Sequence, residues 1–251
     1  MISSEMGLNY AGIYTIASYM AFVIDIPGRS ITSISSPIAA AALKDGELNV
    51  ANQLYKKVSL HQLMAGSTLF LLIWINIDNI FSILPNGEVY RLGKWVVFFI
   101  AMSRLIGMTL GFGSTLISFS RYYYWGLYFT FFLTALTIVT NYIFIPVWGI
   151  TGAALATFLA SVVGYSFQQW IVLKKIGGNP YSLSSFKQVL IILALLVCNE
   201  LLPHWTDNPY ADGIYRTLII GGGCVVLMYK LCISEELCHL MRKYLQMIKF
   251  W

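Results

Sequence analysis

The sequence predicts an all-α integral membrane protein, with about seven transmembrane helices over residues 1–232 and a helix lying on the membrane surface over 233–251. Three observations lead there. Of 251 residues, 58% are hydrophobic and 11% charged, with a mean hydropathy of +0.71. Soluble domains carry roughly 25% charge, so this chain has too few charged groups to cover a surface facing water. From Tyr122 to Leu173 there is no Asp, Glu, Lys, Arg or His. One crossing needs about 20 apolar residues, so that run holds two. Finally, the basic residues collect on alternate connections, as they do in multi-pass proteins.

The hydrophobic segments lie near 8–42, 59–84, 95–118, 123–146, 150–173, 186–203 and 214–232. The first is too long for one straight span and contains Pro27 and Pro37. A proline removes one i→i−4 hydrogen bond, so a kinked helix or a span with a broken continuation is expected. The polar stretch KDGELNVANQLYKK, from Lys44 to Lys57, reads as a short amphipathic connector helix. Between the fourth and fifth segments, Pro146 and Gly149 mark a turn, since proline lacks a donor and glycine reaches turn conformations freely. The tail ISEELCHLMRKYLQMIKFW has Ser234 to cap it and Glu235 and Glu236 in its first turn, and its apolar residues recur at helical spacing. It reads as a helix on the cytoplasmic membrane face, with partner binding as the other reading.

One set of connections receives Lys44, Lys56, Lys57, Arg121, Lys174, Lys175, Lys187, Lys230, Arg242, Lys243 and Lys249, and the other receives Arg91, Lys94 and Arg216. Eleven against three makes the first side cytoplasmic and puts the C-terminus inside. Connections 85–94, 147–149 and 204–213 are then external, the last carrying Asp207 and Asp212. Trp125, Trp148 and Trp205 fall near span ends, where interfacial aromatics belong. The net charge of +5 is scattered among the spans and points to no nucleic-acid partner. Cys198, Cys224, Cys232 and Cys238 have no CxxC spacing and read as apolar filler. His61, His204 and His239 form no ligand pattern, so no metal and no cofactor is assigned. Neither a Gly-rich phosphate loop nor a GxSxG elbow occurs, which argues against most enzymes.

Charged groups at membrane depth are costly, so they lead the search for function. In the first segment Tyr14, Ser18, Asp25, Arg29, Thr32 and Ser36 step along one helical face. Such a stripe faces a wet cavity or other helices, not lipid. It admits two readings: a cavity lining, or an Asp25–Arg29 pair neutralising itself near a kink. In the third segment Arg104, Gly107, Gly111, Ser114 and Ser118 share a face. The small residues there either admit a neighbouring helix or line a cavity in which Arg104 is the cation. A guanidinium suits a phosphate or pyrophosphate through paired in-plane donors. A structural ion pair of Arg104 with Asp78 or Asp25 is the other reading. Gly152, Ala156, Ala160 and Gly164 form a packing ladder, while Asp78 and Glu200 read as interfacial residues.

The stretch WVVFFIAMSRLIGMTLGFGSTLISFSRYYY, followed by TNYIFIPVWGITGAALATFLASVVGY, resembles the C-terminal part of polysaccharide flippases. These belong to the superfamily of multidrug and lipid-linked oligosaccharide exporters. The likeness rests on Ile145, Pro146, Gly149, Ile150, Gly152, Ala153, Ala154, Ala156 and Thr157, and upstream on Gly12, Ile13, Tyr14 and Ala17. It covers residues 1–178. It implies a transporter, not an enzyme, that moves a polyprenyl-pyrophosphate-linked oligosaccharide across the cytoplasmic membrane by alternating access. Related exporters use a cationic central cavity for the pyrophosphate. Arg29 and Arg104 are the candidates here on polarity, with Asp25, Tyr14, Ser18 and Ser36 beside them. The family has twelve to fourteen helices in two similar bundles. This chain is therefore expected to be the C-terminal half, completed by an N-terminal half in the same or another chain and inactive without it. The alternatives are a cation-coupled multidrug exporter of the same superfamily, a membrane oligosaccharide polymerase, and a non-transporting scaffold. The polymerase would need a large external loop that the sequence lacks.

Overall fold

The computed structural model describes residues 2–203, 208–234 and 238, and among them it is helical throughout, with no strand. The expected tail helix and the residues His204, Trp205 and Asp207 lie outside the described residues, apart from Ser234 and Cys238. The helices are α1 (Ile2–Met6), α2 (Leu8–Phe22), α3 (Asp25–Lys44), α4 (Leu48–Ile75), α5 (Ile77–Ile83), α6 (Gly87–Tyr90), α7 (Lys94–Phe119), α8 (Tyr124–Lys175), α9 (Leu183–Leu201), α10 (Pro209–Arg216) and α11 (Gly222–Lys230). One π-helical stretch, Thr217–Gly221, joins the last two. Five of these stretches are long and apolar enough to cross a membrane, or six if the bent pair α2–α3 counts as one.

The first hydrophobic segment bends by 48° between α2 and α3. Pro27 sits in the first turn of α3, and its ring excludes the carbonyl four residues back, at Val23. That carbonyl instead accepts from the Ile26 amide at 3.3 Å, a tighter turn that redirects the chain. Pro37 stays inside α3. The connector expected over 44–57 is not a separate helix. α3 runs to Lys44, a turn at Gly46 (φ 78°) follows, and α4 begins at Leu48 and continues into the apolar segment. Packing explains this: Ala51, Tyr55 and Val58 are buried, so the polar residues form the outer face of one long amphipathic helix.

α8 holds 52 residues, but Gly149 breaks it with φ 57° and ψ −134°. Only glycine takes that conformation at little cost. Pro146 remains helical just before the break. The two arms fold back on each other. Phe129 meets Tyr165 (centroids 5.9 Å apart), the Thr140 hydroxyl reaches the Ala156 carbonyl at 3.4 Å, and Gly152 lies under the Phe144 carbonyl. Gly152, Ala156, Ala160 and Gly164 thus form the seam of this hairpin, where a Cβ on Gly164 would strike Leu133. At the tip, α1 places Met6 against Gly149.

α7 runs through the centre, packed against the α8 hairpin, α4, α2 and α3, while α9 and α11 flank α4 on the far side. Three apolar clusters hold the bundle. One joins Ile13, Ile24, Val97, Ile100 and Ala154; a second joins Ala39, Tyr55, Leu116 and Val172; a third joins Leu71, Ile192 and Ile220. Along α7 and the second arm of α8, the first two clusters occupy opposite ends and a polar layer lies between them.

Candidate functional site

That polar layer lines an open cavity of about 700 Å³, formed by α3, α4, α7 and both arms of α8. Asp25, Arg29, Thr32 and Ser33 come from α3, Gln62 from α4, and Ser103, Arg104, Gly107 and Gly111 from α7. Leu133, Thr137, Thr157, Ser161 and Tyr165 close it from α8. Arg104 lies ten residues into α7, roughly 15 Å from its start, so the cavity sits near the middle of the bundle's length.

Arg104 and Asp25 form an ion pair, Nη1 to Oδ2, at 3.3 Å, and the guanidinium rests over the Phe22 ring at 4.3 Å. Phe22 is the last residue of α2, so the bend that Pro27 causes brings both partners to Arg104. Lys94 pairs instead with Asp78, at 2.7 Å. Arg29 also lines the cavity, yet among the described residues it makes no hydrogen bond or ion pair. The direct ion pair of Asp25 is thus with Arg104, while Arg29 stays within electrostatic reach of the same carboxylate, so two guanidinium groups share one carboxylate and the lining carries one surplus positive charge.

The rest of the predicted stripe divides. Tyr14 lies beside Thr157 and within electrostatic reach of Arg104, at the edge of the site. Ser18 is buried and donates to its own helix, at the Tyr14 carbonyl, 2.8 Å away. Ser36 likewise donates to the Thr32 carbonyl, at 2.7 Å, and does not line the cavity. The steps of three, four and seven that unite these residues assume one straight helix, and the 48° bend between Ser18 and Asp25 breaks that assumption. On α7 both readings of the small residues hold at different positions. Gly107 admits the Tyr165 ring, whose hydroxyl would lie 2.9 Å from a Cβ there, while Gly111 faces open space. Ser114 leaves the cavity and donates to Gln168 at 3.0 Å.

Several polar groups have no signal in the local sequence. Gln62 is 1% exposed, and its Nε2 donates to the Gly28 carbonyl at 3.2 Å and to Thr32 Oγ1 at 2.8 Å. Ser103 and Ser161 share a hydrogen bond of 2.6 Å across α7 and α8. Tyr55 donates to Gln169 Oε1 at 2.6 Å, joining α4 to α8 beyond the cavity floor. For each, it is the partner from a distant segment that gives the side chain its place.

Two expectations away from the cavity change. Asp212 and Arg216 are not loop charges but a buried pair on α10, 2.9 Å apart, with Asn199 accepting from Arg216 at 2.7 Å and Asn79 donating to Asp212 at 2.9 Å. At i and i+4 on one helix they neutralise each other and can be taken inside. Cys224 is buried apolar filler, whereas the sulfurs of Cys232 and Cys238 meet. No cluster among the described residues has metal-ligand composition.

Long apolar helices around an inward-turned polar layer suggest a membrane-embedded multi-pass protein. No family model, curated protein or solved structure matches the chain.

Proposed function

We propose that this chain is the C-terminal half of a transporter that carries lipid-linked oligosaccharide, on a polyprenyl pyrophosphate, across the cytoplasmic membrane for surface polysaccharide synthesis. The observation that carries the reading is Arg29, an unpaired guanidinium on a mid-bundle cavity whose other charges already pair with each other. An arginine at that depth costs about 2.5–3.5 kcal/mol by insertion scales, so a counter-charge is expected there, and in this reading the anionic ligand supplies it. A pyrophosphate presents the paired oxygens that a guanidinium fork accepts. Arg104, tied to Asp25, sets the far edge of the anion site. In this reading α8 crosses twice, the C-terminus is cytoplasmic, and a second helical bundle completes the cavity wall. The surplus positive charge disfavours the cation-coupled drug exporter, whose cargo would be repelled.

Deleting the chain in its own cell and restoring it with Arg29→Ala or Arg29→Lys tests this. Deletion is expected to abolish surface polysaccharide and leave lipid-linked repeat units on the inner leaflet. R29A is expected to restore neither export nor the lipid distribution at normal protein level, and R29K to restore part. Normal polysaccharide in the deletion strain would end the proposal.

A further inference from the structure

Between Glu88 and Glu200 the chain has no carboxylate. Three cations of that stretch, Arg121, Lys174 and Lys175, gather where the α8 hairpin begins and ends. Gly149 folds the second arm back along the first, so Lys175, at the close of the second arm, arrives beside Tyr122 and Trp125 at the opening of the first. Its Nζ lies 5.7 Å from the Tyr122 ring centroid and 5.8 Å from that of Trp125. The Arg121 guanidinium stands over the same Tyr122 ring at 5.1 Å, and Lys174 stands over Trp170 at 5.8 Å. A cation–π contact at an exposed site is weak, so it positions the charge without neutralising it. All three cations are exposed, and among the described residues none makes an ion pair or a hydrogen bond. Lysines at a helix C-terminus suit its dipole, but that dipole does not bring Arg121 and Lys175 to one ring.

The surface next to the cluster completes the picture. Trp170 and Leu173 on the second arm, and Tyr124, Leu127 and Tyr128 on the first, are exposed. Aromatic rings at a span end mark the headgroup level of a bilayer, and the apolar side chains beyond them face acyl chains. An anion joined to alkyl chains fits both parts, with oxygens for the cations and chains for the apolar strip. A free anion fits only the first.

We propose that Arg121, Lys174 and Lys175 form a binding site for an anionic phospholipid, whose phosphate lies against the cations and whose acyl chains lie along the exposed face of α8. The ligand is a lipid of the surrounding bilayer, not cargo, so the site stands independently of the transport reading.

The test uses the full chain, with any half that stays attached, in phosphatidylcholine bilayers containing brominated phosphatidylglycerol. Bromine quenches tryptophan, and Trp125 and Trp170 stand at the site, so the quenching reports how strongly the anionic lipid displaces the zwitterionic one. The wild type is expected to prefer phosphatidylglycerol, by about fivefold for each cation engaged. Lys175→Gln is expected to lower the preference about fivefold, and the combined R121Q, K174Q and K175Q variant to abolish it. Lys175→Arg keeps the charge and is expected to keep the preference. Lys187→Gln removes a cation of α9 outside the cluster and is expected to change nothing. If the triple variant does not fold, K175Q against K187Q gives the answer. No preference in the wild type, a preference that survives in the triple variant, or equal losses in K175Q and K187Q would overturn the site, the last by showing diffuse surface charge only. Displacement of the anionic lipid by inorganic phosphate, where chloride of equal ionic strength displaces none, would assign the cluster to a free anion and overturn the lipid assignment.

Discussion

At the tip of the α8 hairpin, one methyl group is expected to decide whether the two arms close. A Cβ on Gly152 would lie 2.1 Å from the Phe144 carbonyl oxygen and 2.8 Å from its carbon. Carbon–oxygen contacts in proteins settle near 3.3 Å, so Gly152→Ala asks the arms to part by about 1.2 Å. The obstacle is backbone, which has no rotamer to change. Overpacking of this kind costs up to about 3 kcal/mol, and replacing a helical glycine returns about 1 kcal/mol of propensity. The net loss is about 2 kcal/mol, roughly a thirtyfold shift toward the unfolded state. Gly111→Ala is the matched control. It stands in open space, so only the propensity gain remains, about 1 kcal/mol of stabilisation. Unfolding in mixed micelles by SDS titration, followed by circular dichroism, would measure both. Equal stability for the two variants, or G152A at or above wild type, would refute the hairpin seam.

Two further outcomes are expected. Asp212→Ala takes the carboxylate from the buried Arg216 and should cost about 3 kcal/mol in the same titration, whereas D212A combined with Arg216→Met should recover most of that loss; a double variant as unstable as the single one would argue against charge as the cause. A cysteine introduced at Asp45, in the turn between α3 and α4, should react with a membrane-impermeant maleimide only after the cell is opened, and labelling of intact cells would invert the orientation.

Much of the helical layout can be read locally. The apolar runs mark their own helices, and Gly149 breaks α8 because its backbone conformation belongs to glycine alone. Pro27 shows where such reading stops. A kink in the first segment is predictable, but that it parts Ser18 from Asp25 and swings Asp25 to Arg104 depends on what α7 presents. Ser36 looks equivalent to Arg29 on a helical wheel and ends bonded to its own backbone.

Composition and periodicity alone settle the helical class, the low charge and the cost of every ionisable group in the apolar runs, because these are sums over neighbouring residues. Which arginine makes the ion pair, which glutamine ties α3 to α4 and which loop charges turn inward are settled by folding. Arg104 and Asp25 stand 79 residues apart, and Gln62 and Gly28 stand 34 apart. A side chain's partner at that separation is fixed by how helices pack, and no local pattern in the sequence encodes it.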